Sequence, residues 1–140
     1  MGDGRTGPES PLACNMSAFA PAERSRHLAA IEEVFGAVKE IRELPDGYAF
    51  RLPGESAWVM KIADFITRER LCCPFFGFAL ELEPEGGALW LSLTGREGIK
   101  PFVLAEIGHA LKSAVRLAAP GTRARWAASR RLTACYPCPL

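Results

Sequence analysis

Residues 75–94 read FFGFALELEPEGGALWLSLT and carry the clearest secondary-structure signal in the chain. Apolar side chains alternate with small or charged ones over residues 76–82 and again over 89–93, which is the period of a strand with one buried face. The sequence Pro-Glu-Gly-Gly at residues 84–87 is a strong turn signal between these two runs. This stretch therefore predicts an antiparallel β-hairpin.

The elements around this hairpin complete an α+β pattern. Apolar residues at helical spacing predict helices over residues 21–35, 56–73 and about 99–117, the last with Ala110 and Ala114 on its buried side. The turn sequence LPDGY at residues 44–48 favours a first hairpin, with strands near 37–44 and 47–52, over a longer first helix. The resulting order α-ββ-α-ββ-α predicts a four-stranded antiparallel sheet with helices on one face.

The charge of the chain is distributed unevenly, although the formal net charge is only +1. Residues 1–106 contain all 16 acidic residues and 11 basic ones, whereas residues 107–140 contain six basic residues and no acidic one. With the helix and strand pattern, this predicts a flexible N-terminal segment (1–16), one α+β domain (17–119) and a basic flexible tail (120–140). Four arginines and one tryptophan in the tail are a weak electrostatic footprint, so nucleic-acid binding is not favoured.

The N-terminal twenty residues lack the basic and apolar regions of a secretory signal. No apolar run in the chain approaches the roughly 18–20 residues that a membrane span needs. We therefore expect a cytoplasmic protein without a membrane partner. A reducing cytoplasm keeps thiols free, so the five cysteines are better interpreted as ligands, nucleophiles or core residues than as disulfides.

The least ordinary stretch of the chain is ERLCCPFF at residues 69–76. Glu69 stands three residues before Cys72 and four before Cys73, so all three point to one side of a helix. The same spacing continues the apolar stripe of the helix over residues 56–73, which predicts that Glu69 lies on or beside a buried face. A buried glutamate is rare unless it is paired or functional.

Three interpretations of this cluster are open. In the first, Cys72 and Cys73 are core residues of an interaction module, and Glu69 pairs with Arg68, Arg70 or a distant arginine. In the second, which we favour, Cys72, Cys73 and Cys14 bind a thiophilic metal ion such as mercury, copper, zinc or arsenic. In the third, the protein is an enzyme that acts on an organometal or thiol substrate held by Cys72 and Cys73. Glu69 is then the catalytic proton donor.

The other cysteines and the histidines give weaker signals. Cys135 and Cys138 form a Cys-x-x-Cys pair in the tail, which either delivers metal to the main site or is incidental. His27 and His109 lie alone on predicted helices, without a partner at ligand spacing. Neither histidine is therefore expected to bind metal.

Four stretches taken together resemble a family of small, functionally uncharacterised bacterial proteins. They are ACNMS (13–17), LPDGY (44–48), ERLCCPFF (69–76) and LTGREG (93–98). Members of that family often occur near, or joined to, metal-responsive regulators of the mercury-resistance type. The resemblance spans roughly residues 13–105, and the Glu-Arg-x-Cys-Cys-Pro-Phe block is its specific part. It implies a bacterial cytoplasmic protein concerned with thiophilic metals, with a metal-responsive regulator as a partner and with Cys14, Cys72 and Cys73 at the matching positions.

Overall fold

The computed structural model describes residues 10–111 and 116–117. The α-helices are α1 (Pro21–Gly36), α2 (Ser56–Cys72) and α3 (Ile99–Ile107), with short 3-10 turns at Met16–Ala18 and Gly108–Ala110. The strands are β1 (Glu40–Leu44), β2 (Gly47–Leu52), β3 (Gly77–Leu82), β4 (Leu89–Thr94) and β5 (Arg116–Leu117). The order from α1 to α3 is the predicted α-ββ-α-ββ-α, which confirms the α+β fold.

The sheet has the strand order β3-β4-β2-β1-β5. The pairs β3–β4, β4–β2 and β2–β1 are antiparallel, as both hairpin signals predict. Strand β5 adds a two-residue parallel pairing to β1 that the sequence did not predict. Gly47 allows β2 to approach β4 closely, because a Cβ there would collide with the carbonyl oxygen of Leu93.

The core lies between the three α-helices and one face of the sheet. Buried side chains of all three helices form a single apolar cluster with those of the strands. Phe35 of α1 lies at its centre, with edge-on ring contacts to Phe50 of β2 at 5.2 Å and to Phe65 of α2 at 5.7 Å. Burying each such aromatic side chain stabilises the fold by about 2–3 kcal/mol. The helices therefore pack on one face, as predicted.

The predicted helix over residues 99–117 is wrong in its C-terminal half. α3 ends at Ile107, a 3-10 turn follows, and Leu111 is extended with φ −75° and ψ 136°. Gly108 stands at the transition, and glycine disfavours continuation of a helix because its backbone loses the most freedom there. Ala114, which we expected on the buried side of this helix, lies outside the described residues.

The two ends of the chain differ in what the structure describes. Residues 14–19 lie against α2 and α1, where they contribute to the candidate site, whereas Ser10 contacts Arg96 in the loop before α3. Cys135 and Cys138 lie outside the described residues, and the flexibility of residues 1–16 and 120–140 stays a prediction. Across residues 10–111 and 116–117, no helix combines the length and the apolarity needed to cross a bilayer.

Candidate metal centre

The C-terminal end of α2 places two thiols and a carboxylate together. Cys72 is the last residue of the helix and Cys73 is its cap, whose N–H donates to the carbonyl oxygen of Glu69 at 2.8 Å. Pro74 follows and cannot continue the helix, because it lacks an N–H. Cys72 and Cys73 are 1% and 0% exposed, and they pack with Phe19 in a small cluster beside the main core.

The N-terminal segment delivers a third thiol to the same place. The N–H of Asn15 donates to the carbonyl oxygen of Cys72 at 2.9 Å, and thereby satisfies one of the acceptors that a helix end leaves unpaired. Arg24 of α1 holds the following turn, since its Nε donates to the carbonyl oxygens of Met16 at 2.9 Å and Phe19 at 3.2 Å. Cys14 is thus positioned by hydrogen bonds that hold the residues directly after it.

The Cys73 sulfur lies close to the sulfurs of both other cysteines. The Sγ atoms of Cys14 and Cys73 are 3.0 Å apart, although 59 residues separate them in the chain. The Sγ atoms of Cys72 and Cys73 are 3.6 Å apart. All three cysteines are free thiols, and Cys14 is partly exposed while the other two are buried. The structure therefore brings together the three cysteines that the sequence analysis named as candidate ligands.

Glu69 is buried, and its partner is a histidine rather than an arginine. Its Oε2 lies 2.6 Å from Nε2 of His27, and the two residues are 6% and 0% exposed. The Sγ of Cys72 is 3.6 Å from each of these atoms. Arg68, which the core interpretation offered as a partner, binds Asp64 instead.

Sequence reasoning missed His27 because its partners belong to another helix. α1 and α2 meet only in the folded chain, where the His27 ring stacks on Phe65 with centroids 5.8 Å apart and contacts Phe19 at 5.1 Å. The usable signal was that His27 stands four residues before Ile31 and seven before Val34, on the apolar stripe of α1. A histidine on such a stripe needs a polar partner inside the fold.

Glu106 of α3 is a second acidic residue beside the thiols, after Glu69. The sequence analysis did not predict it. Its Oε2 lies 3.6 Å from the Cys14 sulfur, within hydrogen-bonding distance, and the Glu106 side chain is exposed to solvent. Nothing in the spacing of the sequence connects Glu106 with Cys14, which is 92 residues away. Only the packing of α3 beside the N-terminal segment brings them together.

Of the three cysteines, Cys14 is the one whose thiolate form is most stable. Hydrogen bonds from Cys72 and Cys73 lower the pKa of Cys14 to about 3. The same hydrogen bonds, together with burial and the Glu69 carboxylate, raise the pKa of Cys72 and of Cys73. Burial, and then the negative charge of Cys14, raise the pKa of Glu106. The charge thus lies on the sulfur closest to water, where its desolvation costs least.

These residues form two overlapping sets of donors that could hold a metal ion. One set is Cys14, Glu69 and Cys73, and the other is His27, Glu69 and Cys72; within each set the donor atoms lie within 4.8 Å of one another. Sulfur ligands of a tetrahedral zinc ion are about 3.8 Å apart, since each Zn–S bond is about 2.3 Å. The Cys72–Cys73 pair is already close to that separation, and Cys14 would have to withdraw by less than about 1 Å.

Comparisons with known protein families, with curated proteins and with solved structures found no match for this chain.

Proposed function

We propose that the protein binds one thiophilic metal ion through Cys14, Cys72 and Cys73, for sequestration, delivery or sensing. The observation that carries this proposal is the arrival of Cys14 at the end of α2, with its sulfur 3.0 Å from that of Cys73. Cys73 therefore has a second thiol on each side of it, one from the end of α2 and one from the N-terminal segment. Thiolate ligands select soft ions such as Hg(II) and Cu(I) over hard ions such as Mg²⁺.

The surroundings of the thiols support reversible occupancy of the site. Cys72 and Cys73 are buried among apolar residues, which favours soft, weakly hydrated ions. Cys14 is partly exposed and belongs to a segment outside the helices and strands. An incoming ion would meet Cys14 first and then exchange onto the buried pair. Such an opening suits a protein that passes its ion on, and the family resemblance supports a metal-responsive regulator as the recipient.

A titration of the reduced protein with Hg(II) or Cu(I) tests this proposal. The Cys135→Ser/Cys138→Ser variant is the reference, because the tail thiols also bind soft ions. We expect about one ion per chain, with the ultraviolet charge-transfer absorbance of metal–thiolate bonds. Adding Cys72→Ser/Cys73→Ser should abolish binding that survives competition by a millimolar monothiol. Unchanged stoichiometry and affinity in that variant would rule out the proposed site.

A second candidate function, an enzyme that cleaves a carbon–metal bond, is favoured by the position of Glu69. Its carboxylate is buried 3.6 Å from the Cys72 sulfur and shares a hydrogen bond with His27. Cleavage of such a bond leaves the metal on the thiols and requires a proton on the carbon. We assign this role to Glu69, because its carboxyl group lies beside the thiol that would hold the metal.

Glu69→Gln separates the two functions, because glutamine keeps the size of the side chain but cannot donate a carboxylic proton. If the protein is an enzyme, the wild-type chain releases hydrocarbon from an alkyl- or arylmercury compound in repeated turnovers. The Glu69→Gln variant should then bind Hg(II) with unchanged stoichiometry and release none. A wild-type chain that binds the organomercurial without releasing hydrocarbon would exclude the enzyme and leave the binding protein.

A further inference from the structure

We propose that Cys14 and Cys73 form a peroxide-reactive pair that closes to a disulfide and thereby switches off the thiol site. The disulfide itself is inferred from the geometry of the metal-free chain. Only its consequence, the loss of two ligands, rests on the proposed metal-binding function. The probe is a hydroperoxide, an oxidant that is small enough to reach a partly exposed thiol.

The distances favour a disulfide between Cys14 and Cys73 over one between Cys72 and Cys73. The Cys14 and Cys73 sulfurs are 3.0 Å apart, so they need to approach by only about 1 Å to reach the 2.05 Å of a disulfide. Cys72 and Cys73 are neighbours in the chain with sulfurs at 3.6 Å, and a disulfide between adjacent residues forces a strained eight-membered ring. Cys14 comes from a separate segment and can adjust by moving that segment.

The difference in exposure assigns the two roles. Cys14 is partly exposed, so a peroxide molecule can meet its sulfur from solvent. Cys73 is 0% exposed and has no such access, but it lies directly behind Cys14. This is the arrangement of an attacking thiol and a resolving thiol, in which the second reacts only after the first is oxidised.

The reaction balances in two steps. The Cys14 sulfur attacks one peroxide oxygen, so that an S–O bond forms and the O–O bond breaks. The Cys14 thiolate becomes a sulfenic acid, and the other oxygen leaves as hydroxide, which takes up a proton from solvent to become water. The Cys73 sulfur then attacks the Cys14 sulfur, so that the S–S bond forms, the S–O bond breaks and the Cys73 proton leaves in a second water. Two thiols have lost two electrons, and the peroxide has been reduced.

The disulfide would change the site without dismantling it. Cys14 and Cys73 would no longer be thiolate donors, whereas Cys72 would keep its contacts with His27 and Glu69. A soft ion would therefore lose two of its three sulfur ligands. The bond would also attach the N-terminal segment covalently to the end of α2, where a single backbone hydrogen bond from Asn15 now connects them.

The test treats the reduced, metal-free Cys135→Ser/Cys138→Ser protein with one equivalent of hydrogen peroxide. The denatured chain should then contain one free thiol instead of the three of the untreated protein. Trypsin separates Cys14, in the peptide of residues 6–24, from Cys73, in that of residues 71–96. Mass spectrometry should find these two peptides linked. Three free thiols that persist, or an internal disulfide within residues 71–96, would overturn the proposal.

Three single variants in the same background act as matched controls. Cys72→Ser should still form the link, because Cys72 takes no part in it. Cys73→Ser should stop at the sulfenic acid, which dimedone traps on Cys14. Cys14→Ser should consume peroxide at least about tenfold more slowly, because the remaining thiols are buried. A link that survives Cys73→Ser, or one that is lost in Cys72→Ser, would contradict the assignment of the pair.

The outcome is separable from that of the proposed function. Disulfide formation is measured without metal, and Hg(II) or Cu(I) binding is measured on the reduced chain. If the disulfide forms and the reduced chain binds no soft ion, the pair is a peroxide-reactive site and the metal proposal fails. If the reduced chain binds the ion and no disulfide forms, only the present inference fails.

Discussion

The two sides of the candidate metal centre differ in burial and in the elements that supply their residues. The inner side, His27, Glu69 and Cys72, comes from two packed helices and is almost completely buried. The outer side, Cys14 and Glu106, comes from a segment outside the helices and strands and from the exposed surface of α3. Cys73 lies between them, 3.0 Å from the Cys14 sulfur and 3.6 Å from the Cys72 sulfur.

This difference indicates that the buried residues stabilise the fold, whereas the exposed residues carry the reactivity. The inner side is fixed by ring packing and by a 2.6 Å hydrogen bond, so changes there should mainly affect stability. The outer side is fixed by a few hydrogen bonds at the surface, so changes there should mainly affect exchange, oxidation and ion entry.

The largest change in the free energy of unfolding should come from a covalent bond between the two sides. Closing the Cys14–Cys73 disulfide links residues that are 59 positions apart. By the chain-entropy model this raises the free energy of unfolding by about 4 kcal/mol. Urea unfolding of the peroxide-treated and the reduced Cys135→Ser/Cys138→Ser protein measures the difference. The peroxide-treated Cys14→Ser form should show no gain, and an equal gain there would assign the effect to another modification.

Removal of His27 should have the next largest effect. His27→Ala deletes a fully buried ring and leaves the Glu69 carboxylate without its partner, so we expect unfolding to require about 3 kcal/mol less. Leu28→Ala, on the exposed side of the same helix, is the control and should cost less than about 0.5 kcal/mol. Equal losses in the two variants, measured by urea unfolding, would show that the inner side does not stabilise the fold.

On the outer side, the property that we expect to differ from an ordinary thiol is the pH dependence of Cys14 alkylation. Its pKa is lowered to about 3, so the thiolate is present throughout the range above that pH. Alkylation of Cys14 by iodoacetamide should therefore change little between about pH 5 and pH 8. The alkylation rate of an ordinary thiol falls about tenfold for each pH unit below its pKa of about 8.5. Peptide mapping of the metal-free protein gives the rate at each pH. A tenfold fall per pH unit at Cys14 would contradict this lowered pKa.

The smallest effect should come from Glu106→Gln. Because burial raises the pKa of Glu106 in the folded chain, the unfolded chain loses that proton more readily. At a pH above the pKa that Glu106 has in the unfolded chain, its deprotonation therefore lowers the free energy of unfolding. Below that pH, Glu106 is protonated in both states and has no such effect. The variant should be slightly more stable than the wild type at neutral pH and equal to it at about pH 3. Solvent screens this exposed side chain, so a large gain, or a loss at neutral pH, would contradict the argument.

Most of the fold was predictable from local patterns in the sequence. The alternation in β3 and β4, and the LPDGY turn between β1 and β2, specified both hairpins because each signal lies within a short stretch of chain. β5 could not be predicted, since a two-residue parallel pairing has no period. The end of α3 was missed because the apolar spacing of Ala110 and Ala114 outweighed Gly108 in the prediction.

The site was predictable only in part, for a similar reason. Glu69, Cys72 and Cys73 share one helix end, so their spacing placed them together. The approach of Cys14 was a hypothesis based on its chemistry. His27 and Glu106 join the site through helix packing, and such contacts between distant parts of the chain leave little trace in spacing.

The most direct test of the account is the number of sulfur atoms around a bound ion. X-ray absorption spectroscopy of the Hg(II)-loaded, reduced Cys135→Ser/Cys138→Ser protein counts them. The account predicts three sulfur ligands, falling to two when Cys14→Ser is added. Two sulfurs in both proteins would contradict it, because Cys14 would then be a neighbour of the metal centre and not one of its ligands.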